Sequence, residues 1–188
     1  MNKTKKLIFE AAIKTFSKSG YNGTTMDEIA LEAGVAKGTL YYHFKSKEEI
    51  FRFIIKEGLE ILADKISDID NDGSPIDNLR IICKAQLSIL YDNKDFFKVL
   101  MSQLWGQEIR QLELRQQLRK YVSKIELYIE DAMRKGFIRE GNANFMAYAF
   151  FGSLISVAVY EIINVETIDI DEVVDNLVSY NLRGLEKR

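Results

Sequence analysis

Lys37, Thr39, Tyr41, Tyr42, His43 and Lys45 fall within nine consecutive residues. They form a crowd of donors and cations suited to phosphate oxygens and base edges. Leu40 and Phe44, four apart, are spaced to pack inward, which leaves the polar side chains for another surface. A purely structural corner has no need of that set. Other chemistries are poorly supplied. His43 is the only histidine and Cys83 the only cysteine, so a histidine metal cluster and an intramolecular disulfide are excluded. No Walker or GxGxxG glycine pattern appears. Glu130 with Asp131, or Asp169 with Asp171, reads as a solvated face or helix cap rather than an acid/base pair. Cys83 sits on an apolar helical face, as an inert core thiol does. Neither an enzyme nor a metal or cofactor is expected.

The donors need a rigid mount, and the flanking residues spell one out. Thr25 followed by Glu28 is a capping box, in which the hydroxyl takes an orphan amide while the Glu reaches back. Ile29, Ala30 and Ala33 give the short helix a narrow apolar face, and Gly34 can end it in the left-handed conformation. After Val35 and Ala36, Lys37 to His43 forms a second short helix, and Ser46 with Glu49 repeats the capping box to open a third. A preceding helix, about Lys3 to Ser19, buries Ile8, Ala12 and Phe16 and stops at Gly20. Two short helices about a three-residue, Gly-containing turn have the form of a helix-turn-helix, which lays its second helix in the major groove of DNA. Charge agrees with that placement. Residues 1–47 carry eight Lys against four acids, a net +4, while the remainder carries −6. The chain total of −2 hides this asymmetry.

The stretch AGVAKGTLYYHFKSKEEIF, with TTMDEIA upstream and a first helix ending in GY, resembles the DNA-binding domain of TetR/AcrR-family transcriptional regulators. The resemblance implies that Thr25 and Lys47 hold phosphates at two helix N-termini. It also implies that Lys37, Gly38, Thr39 and Tyr41 lie toward the bases, with Tyr42 and His43 on the backbone. Met26 falls where many relatives carry a variable residue able to reach a base. Ala36 departs from the Ser often found at the start of the recognition helix, a loss of about 1 kcal/mol of capping.

The rest of the chain is expected to be helical, giving an all-α protein of about nine helices. The expected division is a helix-turn-helix DNA-binding domain, residues 1–46, and a larger ligand-binding and dimerisation domain, 47–188. A long helix from Lys47 through Ile66 ends at the turn-rich SDIDNDGSP, and Pro75 opens the next helix. Leu79, Ile82, Cys83, Gln86, Leu87 and Leu90 follow at helical spacing, and a short helix contains Phe96, Phe97, Leu100, Met101 and Leu104. Gln107 to Lys135 is amphipathic, with Gly136 closing it. Phe145 to Ile163 is apolar nearly all round and must be buried on more than one side. Its uncharged run of 16 residues, Phe145 to Tyr160, is too short for a membrane span. A self-pairing face suits it better. Gly152, Ser153 and Ser156 form a small-residue patch beside Phe145 and Tyr160, and the last helix adds Val174, Leu177, Val178, Leu182 and Leu185. These helices either form a four-helix homodimer interface, as the resemblance implies, or bury within one chain.

For the second domain, the resemblance implies an apolar cavity enclosed by the middle helices. Tyr91, Phe96, Phe97, Met101, Trp105, Tyr128, Tyr148 and Phe151 are candidate lining residues, although aromatics at such spacing also build ordinary cores. Gln103, Gln107, Arg110 and Arg115 are candidate polar anchors, Arg suiting an anionic head group. QLWGQEIRQLELRQQLRKY is similar to the corresponding region of fatty-acid-degradation repressors that respond to acyl-coenzyme A. The expected partners are therefore double-stranded operator DNA, a second copy of the chain, and a small effector, either acyl-CoA or another apolar compound. The expected function is a cytoplasmic, homodimeric repressor released from a pseudo-palindromic operator by its effector. A protein-interaction adaptor, or a helical lipid carrier with a non-functional DNA-binding domain, is the alternative.

Overall fold

The computed structural model describes residues 1–67, 74–163 and 169–183. Among these residues the chain forms nine helices: α1 (Lys3–Gly23), α2 (Met26–Glu32), α3 (Lys37–His43), α4 (Lys47–Ser67), α5 (Pro75–Asp92), α6 (Lys94–Gln103), α7 (Ile109–Arg134), α8 (Ala143–Ile163) and α9 (Ile170–Arg183). The all-α expectation holds. Residues 68–73, expected to break the long helix, lie outside the described residues, as do Leu185 and the side chain of Leu182.

Local chemistry sets the helix ends. Gly20 interrupts α1 at φ +69°, a conformation that favours glycine, and one further turn runs on to Gly23. The buried Thr24 fastens that turn, donating to the carbonyls of Gly20 (2.8 Å) and Thr15 (3.2 Å). Both halves of the Thr25–Glu28 box form, and Gly34 ends the turn after α2 at φ +63°. The second box differs from expectation. Ser46 caps the amide of Glu49 (3.1 Å), but the Glu49 carboxylate reaches back to the amide of Lys45 (2.6 Å).

The chain divides into two compact units, residues 1–60 with 93–118, and residues 61–92 with 119–188. The expected boundary at 46–47 falls inside the first. Its core joins Ile8, Ala12 and Phe16 of α1 to Ile29, Leu40, Phe44, Ile50, Phe51 and Ile54. Helix α6 packs along α1, with Ser17 donating to Asp95 (2.5 Å). On the α4 side of α6, Gly58 permits a close approach: a Cβ at that position would stand 2.3 Å from the ring of Phe96.

In the second unit α5 packs against α8 and α9, burying Leu79, Ile82, Cys83, Leu87 and Leu90. No helix among the described residues is long and apolar enough to cross a membrane. Burial pushes the Cys83 thiol up to about 12. Since the thiolate is the nucleophile, native protein is expected to resist alkylation at mildly alkaline pH while urea-unfolded protein labels fully. Stoichiometric labelling of the folded chain would contradict a sealed α5 face.

Candidate nucleic-acid interface

Helix α3 has seven residues, of which Leu40 alone is buried. With Leu40 and Phe44 turned inward, Lys37, Gly38, Thr39, Tyr41 and Tyr42 are exposed, Tyr42 at 78%. His43 is half-buried, its ring 5.2 Å from that of Tyr42. A Cβ at Gly38 would meet nothing within 4 Å, so this glycine keeps the surface low without an internal packing need. Ala36 supplies no side-chain cap, as its methyl group dictates. Donors thus gather on one small convex face, with Lys45 donating to the Tyr41 carbonyl (2.9 Å) at its end.

Each cation of the motif has a different employment. Lys37 pairs with Asp27 at 2.8 Å, both side chains being well exposed, and the Asp27 hydrogen bond raises its pKa. An exposed pair of this kind contributes little, so Lys37 can exchange Asp27 for a nucleic-acid acceptor at little cost. Thr25 is exposed, yet its hydroxyl accepts from the Glu28 amide (3.2 Å) and donates to the Glu28 carboxylate (3.0 Å). Met26, at the first position of α2, is half-buried.

Lys47 holds the fold itself. Its ammonium donates to the carbonyls of Tyr21 (2.7 Å) and Thr24 (2.8 Å), with Asn22 at 3.4 Å, and lies 4.6 Å from the Tyr21 ring centre. Desolvation, then the charge of Arg110, lowers its pKa. It closes the end of α1, where helix carbonyls lack partners. Lys47→Ala is therefore expected to cost about 1–3 kcal/mol of stability, read as a lower denaturation midpoint. An unchanged midpoint with weakened DNA binding would instead make it a phosphate contact alone.

Tyr21, present in the sequence only as the GY that ends the first helix, is the residue that ties these groups together. Its ring stacks on Phe16 (5.5 Å) and meets Phe51 edge-on (5.4 Å). On it lies the Arg110 guanidinium, 3.9 Å from the ring centre. Burial raises the Tyr21 phenol pKa and the Arg110 charge opposes that rise.

The candidate effector residues are spread over both units. In the first, Phe96 and Phe97 are buried core, Met101 is half-buried, Arg110 is buried and Trp105 is 82% exposed. Arg115 donates to the carbonyls of Leu104 (3.0 Å) and Gly106 (2.8 Å) on either side of Trp105. In the second, Tyr128 donates to the Ile66 carbonyl (2.9 Å), Phe151 meets Tyr121 edge-on (5.8 Å), Tyr91 is half-buried and Tyr148 is exposed. Gln86 lies on the apolar stripe of α5. It is buried with neither end of its amide hydrogen-bonded, and a polar residue on an apolar stripe was its one signal.

The candidate dimer residues separate in a similar way. Phe145, Gly152, Ser156 and Tyr160 of α8 are exposed. Ser153 is half-buried and accepts from Asn181 (3.1 Å). Val174, Leu177 and Val178 of α9 are buried within the single chain.

Residues 8–54 match the bacterial regulatory proteins of the tetR family. A Clostridium perfringens protein assigned to the regulation of fatty acid metabolism has the same fold at a TM-score of 0.90, with 48% identity over 97% of this chain and 100% of the other. The Bacillus subtilis HTH-type transcriptional regulator YhgD is 31% identical over 155 residues, 81% of each chain. Bacillus subtilis FadR, solved in complex with stearoyl-CoA, shares the fold at a TM-score of 0.81, with 20% identity over 95% of this chain and 98% of that one. The chain spans about half, 47%, of the length of a further relative, the Bacillus subtilis regulator YerO, to which it is 29% identical over 141 residues. With its outward-facing donors on a buried Leu40 anchor, and with identity to regulators sustained along its length, this chain belongs to the tetR family of bacterial regulatory proteins and is a DNA-binding transcriptional regulator of the helix-turn-helix type.

Proposed function

We propose that the protein is a cytoplasmic, homodimeric repressor that leaves a pseudo-palindromic operator when it binds an acyl-CoA thioester. The observation that carries the DNA half is the exposed face of α3, where Lys37, Gly38, Thr39, Tyr41 and Tyr42 stand clear of the core. Lys37, Thr39 and Tyr41 read base edges; Tyr42, His43 and Lys45 grip the backbone. Residues 1–46 carry this recognition, and the remainder senses and dimerises. The exposed α8 residues Phe145, Gly152, Ser156 and Tyr160 support pairing with a second copy. Since Val174, Leu177 and Val178 are spent inside the chain, α8 carries more of that interface than α9. A two-fold dimer then sets two α3 helices at half-sites about 34 Å apart or a multiple of that spacing.

Support for the effector comes from a relative of the same fold that was solved with stearoyl-CoA, and from the likeness to a protein assigned to fatty acid metabolism regulation. An effector that binds the DNA-bound and free forms equally shifts nothing, and near-complete release requires about 10⁴-fold preference for one form. The test selects bound fragments from the host genome and titrates acyl-CoAs of increasing chain length into the complex. Affinity that never moves with any of them would leave a constitutive DNA binder.

A further inference from the structure

The outward face of α3 continues past its last turn onto α1. Phe44, which follows α3, is 3% exposed, and its ring packs 5.0 Å from that of Phe53 and 6.4 Å from that of His43. Over the Phe44 and Phe53 rings lies the Lys5 ammonium of α1, 5.8 Å from the first ring centre and 5.7 Å from the second. Asn2 caps that turn of α1 by accepting from the Lys5 amide (2.8 Å), which fixes where Lys5 starts. One row of side chains therefore runs Lys5, Phe44, His43, Tyr42, from α1 to the most exposed residue of the recognition helix.

Lys5 is half-buried, yet its charge is not spent on an ion pair. Lys6, Lys14 and Lys37 each face a carboxylate, and Lys47 is taken up by backbone carbonyls. Among the described residues neither Lys5 nor Lys45, the cation at the same end of α3, has an acidic partner. An aromatic face attracts an ammonium without satisfying its three N–H donors as oxygen acceptors would. A lysine that served only to cover the rings would need its stem and not its charge.

We propose that α1 extends the nucleic-acid interface: Lys5 holds a DNA phosphate beside the backbone contacts of Tyr42 and His43, at the C-terminal end of the recognition helix. The two rings set the place of the charge, so the contact fixes how α3 is seated in the groove. It carries no base preference of its own, as phosphate contacts do not. The inference rests on the reading of α3 as the helix that reads DNA, and the two can fail separately.

The test compares the salt dependence of binding by full-length wild type and variants, on genome-selected operator and on a duplex of scrambled sequence. Lys5→Met keeps the stem that covers Phe44 and Phe53 and removes the charge. It should leave the denaturation midpoint in place, reduce the steepness of log affinity against log salt by about 0.9 per subunit, and weaken both duplexes about 10-fold per subunit near 0.1 M salt. Lys5→Arg should restore both quantities, and Lys5→Gln replaces Lys5→Met if the methionine disturbs the fold. Lys98→Gln, which removes an exposed charge from α6, should change neither quantity. Phosphate-ethylation interference should also lose one phosphate in each half-site with Lys5→Met. A slope and an interference pattern that Lys5→Met leaves unchanged would overturn the contact and spare the α3 reading. An equal effect of Lys98→Gln would do the same, by reducing the contribution of Lys5 to net charge. Absence of salt-dependent binding by the wild type would overturn both.

Discussion

Leu40→Ala is expected to destabilise the first unit by about 2–5 kcal/mol and to abolish operator binding at temperatures where wild-type protein binds fully. Leu40 is completely buried and is the only residue of α3 that is. A seven-residue helix has no stability of its own in water, and this one starts at Ala36 without a side-chain cap. Its place on the surface is thus decided by one side chain, helped by Phe44 just past its end. Removing that anchor leaves a cavity under the recognition helix and lets the donors of Lys37, Thr39 and Tyr41 point in many directions. Chemical denaturation would measure the first effect and fluorescence anisotropy with labelled operator the second. A loss under about 1 kcal/mol, well below the range for Leu→Ala in a packed core, would mean that α3 is held by something other than Leu40.

Lys37→Ala should act on DNA with little effect on the fold. The Asp27 pair that it breaks is exposed at both ends, so the denaturation midpoint should barely move. A base-edge contact is worth about 1–3 kcal/mol of discrimination, so affinity for the selected operator should fall about 10- to 100-fold. Binding to unrelated duplex should fall much less, compressing the ratio between the two. Equal losses on every sequence would place Lys37 on a phosphate. Tyr42→Ala is the natural companion, since a backbone contact should weaken binding to all sequences alike.

Much of the recognition unit was legible because its signals are local. Capping boxes, a glycine that must take positive φ and a four-residue apolar spacing act over a single turn, and Thr25, Gly34 and Leu40 do what their chemistry demands. Long-range partners were not. Nothing near Lys47 in sequence says that its ammonium will close on the carbonyls of Tyr21 and Thr24, more than twenty residues earlier. Gly58 looks like an ordinary helical glycine until the Phe96 ring is seen against it. The aromatic set was ambiguous for the same reason. Residue type made Phe96 and Trp105 equal candidates to line a cavity, but only the fold shows the first buried and the second 82% exposed. On α9, apolar periodicity could not separate a face turned to a partner from one turned to α5, and Val174, Leu177 and Val178 prove to be buried within the chain.

The central claim is that the face of α3 reads DNA, and the salt dependence of operator binding tests it most directly. Each phosphate neutralised by a Lys or Arg adds about −0.9 to the slope of log affinity against log salt. The expected result is a steep linear fall on genome-selected operator, with a retained preference over unrelated duplex at each salt concentration. Flat salt dependence, or equal affinity for every sequence, would contradict it.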